Sequence, residues 1–157
     1  LKLPYLIPVD VSAGDLSPAI RLSDITEALA KTNAKRITLF LDACFTGGGR
    51  DAGLLAARSA RVLPKSFDAY GNMVIFSATS ADQTALPYTD KKHGFFTYYL
   101  LKKMQETKGD VKYSELFDYI KSNVSLESTR LIKPQDPDLK YSNDVIKNWG
   151  SWKLNDK

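Results

Sequence analysis

Ile37-Thr38-Leu39-Phe40-Leu41 runs directly into Asp42-Ala43-Cys44-Phe45-Thr46-Gly47-Gly48-Gly49, and this stretch decides the fold. A nearly unbroken apolar run with charge before it and glycine after it is the pattern of a strand buried on both faces of a parallel sheet. Working outward, Met73-Val74-Ile75-Phe76-Ser77-Ala78 is a second run of the same kind. Gly94 then opens the strongest helical stretch, expected over Phe95 to Thr107, whose Phe95, Phe96, Tyr98 and Tyr99 read as core. A further helix is expected with Ser114 as its cap and Leu116, Phe117, Ile120 and Val124 on one face. Upstream, Asp24 and Glu27 give an acidic start to a helix from about Ser23 to Lys31, with Ile25, Ala28 and Leu29 at helical spacing and Thr32-Asn33 closing it. Strands alternating with helices predict an α/β fold around a parallel sheet.

The remaining segments are less regular. Leu3 to Val11 is apolar but cut by Pro4 and Pro8, which suits an extended edge or short hairpin strand, ending in a turn at Ser12-Ala13-Gly14-Asp15. Residues Arg50 to Tyr70 read as a mobile connection in which a short helix over Ala52 to Arg61 is the one candidate element. Trp149 to Leu154 reads as a last edge strand. No internal repeat or low-complexity segment is visible.

With 157 residues the chain has room for one domain, 1–157, built around one core. Its 43% hydrophobic and 25% charged residues exclude wholesale disorder. The net charge of +4 comes from scattered pairs such as Lys91-Lys92 and Lys102-Lys103, not from a basic run interleaved with aromatics, so no nucleic-acid partner is expected. No stretch approaches the ~20 apolar residues of a membrane span, so no membrane partner is expected either. The chain opens on Leu1 with no signal-peptide pattern and is expected to follow a segment that has been removed. One cysteine, Cys44, and one histidine, His93, exclude an internal disulfide and a Cys- or His-rich metal site. A single thiol fits either redox compartment.

Ligands of open α/β sheets sit beyond the carboxyl ends of the strands, and Asp42-Ala43-Cys44 is that end for the strand Ile37 to Leu41. A carboxylate there is costly to bury without a partner, and the glycines that follow allow close backbone approach to the thiol. Thr46 to Gly49 is not a phosphate cradle, since no Gly-Lys-Ser/Thr follows.

Asp42-Ala43-Cys44-Phe45-Thr46-Gly47 resembles the Asp-Ala-Cys-x-Ser-Gly nucleophile motif of the caspase-like cysteine peptidases, in particular metacaspases and their bacterial relatives. Phe76 to Ala85, with Asp82-Gln83-Thr84-Ala85, is similar to the family's second strand and its Asp-Gln-Thr loop, and Gly94-Phe95-Phe96-Thr97-Tyr98 resembles its Gly-x-Phe-Thr helix start. Thr46 stands where serine is usual. The resemblance covers nearly all of the chain. It implies a mostly parallel sheet flanked by helices in three αβα layers, incomplete at the N-terminus, and Cys44 as nucleophile with its backbone amide in the oxyanion hole. It also implies a protein or peptide substrate.

Such a thiol needs an imidazole beside it. In caspases that histidine lies ~50 residues upstream of the cysteine, which from Cys44 falls before Leu1. The upstream segment of the same polypeptide is therefore the expected partner that supplies the base, together with a His-Gly amide for the oxyanion hole. His93 lies on the wrong side of Cys44 and reads as a solvated loop residue. By the resemblance, Asp42 lines the pocket for the residue before the scissile bond, where a carboxylate selects Arg or Lys and disfavours Asp. Ser80 and Asp82 are expected to line the groove wall. No cofactor is evident, no metal ligands are expected, and calcium enters only through the family resemblance, since no dense acidic loop calls for it.

The resulting expectation is a cysteine endopeptidase cutting after Arg or Lys, inactive without its upstream histidine. The rival is a catalytically inactive caspase-like interaction module. Arg50, Arg58, Arg61 and Lys65 place the residue types selected by Asp42 inside the connection Gly48 to Asn72, where self-processing is expected.

Overall fold

The computed structural model describes residues 3–8, 17–43, 67–80 and 83–156. The two apolar runs form β3 (Ile37–Leu41) and β4 (Met73–Ser77), paired in parallel with Leu39 opposite Ile75 and Leu41 opposite Ser77. A strand that the sequence reading passed over, β7 (Asp138–Tyr141), pairs antiparallel to β4, so the order is β3-β4-β7 and the described sheet is mixed, not uniformly parallel. Asp-Leu-Lys-Tyr is short and half polar, as suits an edge, and Pro137 just before it hides its pattern. The expectation that β3 is buried on both faces is also corrected. All of β4 is buried, whereas β3 is buried only at Ile37 and half-buried from Thr38 to Leu41. Central position explains this, because among the described strands of this sheet β4 is the one with a neighbour on each side.

Period-two alternation divides β4 between two cores. Val74 and Phe76 face α2 (Phe95–Thr107) and α3 (Tyr113–Arg130), packing with Phe96, Tyr99, Leu116, Ile120 and Val124. Met73 and Ile75 face the other side with Ile37, where Leu29 of α1 (Leu22–Ala30) and Phe67 complete a smaller cluster. Helices therefore cover both faces, as the αβα expectation required. The aromatic helix start reads correctly as core, with Phe95, Phe96 and Tyr99 buried and Tyr98 packed against them. Leu116, Ile120 and Val124 are buried and Phe117 packs at their edge.

The smaller expectations divide. Helix α1 begins one residue early and buries Leu22 and Thr26, while Ala28, expected on the apolar stripe, is exposed. Thr32 closes it, its N–H and hydroxyl both donating to the Leu29 carbonyl. Among the described residues of the expected N-terminal strand, Tyr5–Leu6 (β1) is the part in register, pairing antiparallel with Ile20–Arg21 (β2), the hairpin alternative; positions 9–11 lie outside the described residues. Residues 12–15 and the candidate helix at 52–61 lie outside the described residues. Ser114 does not cap α3; Lys112 holds that position, and the Ser114 hydroxyl donates to the Gly150 carbonyl at 3.0 Å. The expected strand at Trp149 to Leu154 is a 3-10 turn, Trp149–Ser151, followed by one isolated bridge between Lys153 and Lys112. Its apolar residues serve burial: Trp152 fills the core below Tyr113. No described helix is long and apolar enough to cross a membrane.

Candidate active site

The alternation of β3 sets the geometry of its carboxyl end. Thr38 faces the helices, sharing a 2.7 Å hydrogen bond with the Tyr113 hydroxyl. Phe40 faces the same way, with its ring 5.0 Å from that of Phe76. Two residues on, half-buried Asp42 follows that side and accepts a hydrogen bond from Thr97 Oγ1 on Oδ2 at 2.6 Å.

Thr97 is delivered by a small hairpin. Strands β5 (Pro87–Tyr88) and β6 (His93–Gly94) pair antiparallel around a 3-10 turn, Thr89–Lys91, which Lys92 ends in the left-handed conformation at φ 56°. The Phe95 N–H donates to the Leu86 carbonyl at 3.1 Å and starts α2 directly after Gly94. Thr97 then lies in the first turn, where the helix dipole favours a neighbouring carboxylate. Two of the motifs singled out in the sequence, Asp42 ahead of Cys44 and Gly94 to Thr97, thus meet through one hydrogen bond. Thr97 itself was not assigned a role; the signal available was its place in the Gly-x-Phe-Thr resemblance.

The loop after β4 is held by a polar network on the segment leading into β7. Gln135 is fully buried, donating from Nε2 to the Ala78 carbonyl at 3.0 Å and accepting the Leu86 N–H on Oε1 at 2.8 Å. Asp136 accepts from Gln83 Nε2 and from Ser125 Oγ, each at 2.8 Å, while its own N–H donates to Gln83 Oε1 at 2.6 Å. The Ser80 N–H donates to the Asp136 carbonyl at 2.9 Å. The hydrogen bonds from Gln83 and then Ser125 hold the Asp136 carboxyl below its ordinary range, against a smaller opposing effect of burial. None of Ser125, Gln135 and Asp136 was singled out in the sequence, because a polar residue paired with groups far along the chain leaves no periodic mark.

Of the expected site residues, Asp42 lies at the carboxyl end of β3 and half-buried Ser80 lies beyond the end of β4, the crevice side of an open sheet. Cys44 and Asp82 lie outside the described residues, as do positions 48–66 of the connection expected to be self-processed. His93 is exposed on β6, in keeping with its reading as a solvated residue. Among the described residues no group of three or more His, Cys, Asp or Glu side chains is placed to hold a metal ion.

No curated protein matches the chain. A protein-family model does, the caspase domain Peptidase_C14, over residues 2–145. That span includes both core strands, the Asp42-Ala43-Cys44 segment and the helix start that carries Thr97. An α/β sandwich with these motifs at the strand ends, matched over most of its length, belongs to the caspase domain family of cysteine peptidases.

Proposed function

We propose that the chain carries the nucleophile and the specificity pocket of a cysteine endopeptidase that cuts after Arg or Lys. The observation that carries this reading is the Asp42 carboxylate, two residues before Cys44, with its Oδ2 fixed by Thr97 at 2.6 Å. A carboxylate held by a hydroxyl on a rigid helix turn is already oriented, so less order is lost when a guanidinium or ammonium group meets it. An acidic side chain entering the same place would meet like charge.

In this reading the Cys44 thiol loses its proton to a histidine supplied by sequence preceding Leu1, and the thiolate attacks the scissile carbonyl. The carbonyl oxygen takes up the negative charge toward the Cys44 amide. The imidazolium then protonates the leaving amine as the carbon–nitrogen bond breaks, and water hydrolyses the thioester. Ser80 and Asp82 form the groove wall, and the connection 48–72 is a substrate in its own right, cut after Arg50, Arg58, Arg61 or Lys65.

The test uses reporter peptides ending in Arg, Lys or Asp, with and without calcium, on the chain alone and joined to a caspase-type His-Gly segment. The chain alone is expected to be inactive and the joined protein to cut Arg and Lys peptides. Cys44→Ala abolishes cutting, and Asp42→Ala loses mainly the basic preference. Fragment masses of the joined protein report cuts in the connection. If Asp-ending peptides are cut best, the assignment of Asp42 is wrong. If the joined protein cuts nothing, the chain is an interaction module.

A further inference from the structure

We infer that Asp136 is a positioning residue for the substrate groove, clamping Ser80 and Gln83 in place from the segment that leads into β7. The inference rests on the proposed role of Ser80 in the groove wall. The Ser80 carbonyl accepts the Gln83 N–H at 3.2 Å, closing a turn, and both ends of that turn are tied to Asp136. Its carbonyl holds the Ser80 N–H at 2.9 Å. Its N–H and Oδ2 grip the two ends of the Gln83 amide, at 2.6 and 2.8 Å, in a reciprocal pair. Its second carboxylate oxygen is fixed by Ser125 of α3 at 2.8 Å. Every polar group of Asp136 is thus used, and each bond runs either to the turn or to the helix that braces it.

Ser80 and Gln83 are polar, half-buried and belong to neither apolar cluster, so hydrogen bonds must supply their order. The neighbouring Gln135 holds Ala78 and Leu86, outside the turn, by separate hydrogen bonds. The two residues therefore divide the work: Gln135 fixes the loop's base, and Asp136 fixes the turn that carries Ser80. Loss of the clamp should weaken substrate binding while the fold persists.

The donor and acceptor pattern supplies the test. Gln83→Glu puts a carboxylate oxygen against Asp136 Oδ2 and breaks the pair. Adding Asp136→Asn restores it, since the new amide donates to the introduced carboxylate while its oxygen still accepts from Ser125. Asp136→Asn alone is expected to be mild, because the Ser125 hydroxyl can accept as well as donate. In a Cys44→Ala background that prevents cutting, we would measure affinity for an Arg-ending peptide, amide exchange at Ser80 and Leu86, and Tm.

Gln83→Glu should speed Ser80 exchange and weaken the peptide roughly tenfold, with Leu86 exchange and Tm little changed, and the double variant should restore both, a coupling of the size seen between contacting residues. Peptide affinity that ignores both variants while Ser80 exchange responds overturns the groove role and leaves the peptidase reading standing. Unchanged Ser80 exchange overturns the clamp itself. If the parent protein binds no Arg or Lys peptide, the specificity reading falls and the groove role with it, whatever the exchange shows.

Discussion

Ile132 sits at φ 56° just beyond α3 and is 90% exposed. Its N–H donates to the Thr129 carbonyl and that of Lys133 to the Ser128 carbonyl, the paired bonds of a Schellman ending in which glycine usually holds the left-handed place. A β-branched residue there costs ~1–2 kcal/mol, against ~0.5–1 kcal/mol of backbone entropy for glycine. Ile132→Gly should therefore stabilise the protein by about 0.5–1 kcal/mol, read as a higher urea midpoint with unchanged slope. Thr97 gives the opposite case. Thr97→Val keeps the shape but leaves the half-buried Asp42 without that donor, which should cost ~1–3 kcal/mol, whereas Thr97→Ser should stay near wild type. Equal midpoints for the Val and Ser variants would show that the hydroxyl is idle. Asp42 was legible in the sequence because it ends an apolar strand where a charge is conspicuous. Its partner was not, because the bond joins residues 42 and 97 and only the folded chain brings them together.

At the scale of elements, legibility followed apolar pattern. β3, β4, α2 and α3 each carry a run or stripe long enough to read, and α2 was placed at its observed ends. β7 offers Leu139 and Tyr141 on one face and Lys140 on the other, too little to mark a strand, although Lys140 lies 4.3 Å from the Phe67 ring centroid and donates to the Phe67 carbonyl. The segment just before β7 does its work through Gln135 and Asp136, and its Asp136 carboxyl yields a pH prediction. Hydrogen bonds from Gln83 and Ser125 favour the ionised form in the fold, so the folded pKa lies below the unfolded one. The stabilisation is then complete above the ordinary Asp value of ~3.9 and is lost as pH falls through the lower folded value. Urea midpoints taken from about pH 5 to 3 should fall less steeply in Asp136→Asn than in the parent chain. Parallel curves would mean that Asp136 takes up its proton equally in both states.

Across the whole molecule, the family match stops at residue 145 while the core does not. Trp152 is only 7% exposed and meets Tyr113 edge to face, with ring centroids 6.0 Å apart. Its carbonyl accepts the Tyr113 N–H at 2.8 Å, and the Arg36 guanidinium lies 5.2 Å from its ring centroid. Arg36 leads into β3, and Tyr113 reaches Thr38 on β3 through its hydroxyl. Trp152 therefore braces the strand whose far end presents Asp42, from two directions. The exposed ion pair of Arg36 with Asp156 adds little, because water screens it and two long side chains must be ordered to make it. Burial of the indole is the larger effect, so Trp152→Ala should cost ~3–5 kcal/mol, lowering Tm by several degrees for each ~2 kcal/mol in a chain of this size. Trp152→Phe should recover much of that. Arg36→Ala should add less on top of Trp152→Ala than it costs alone, since its stacking partner is already gone. If Trp152→Ala melts with the parent chain, the terminal turn merely rests on the domain, and the position of β3 is set by β4 and the helices alone.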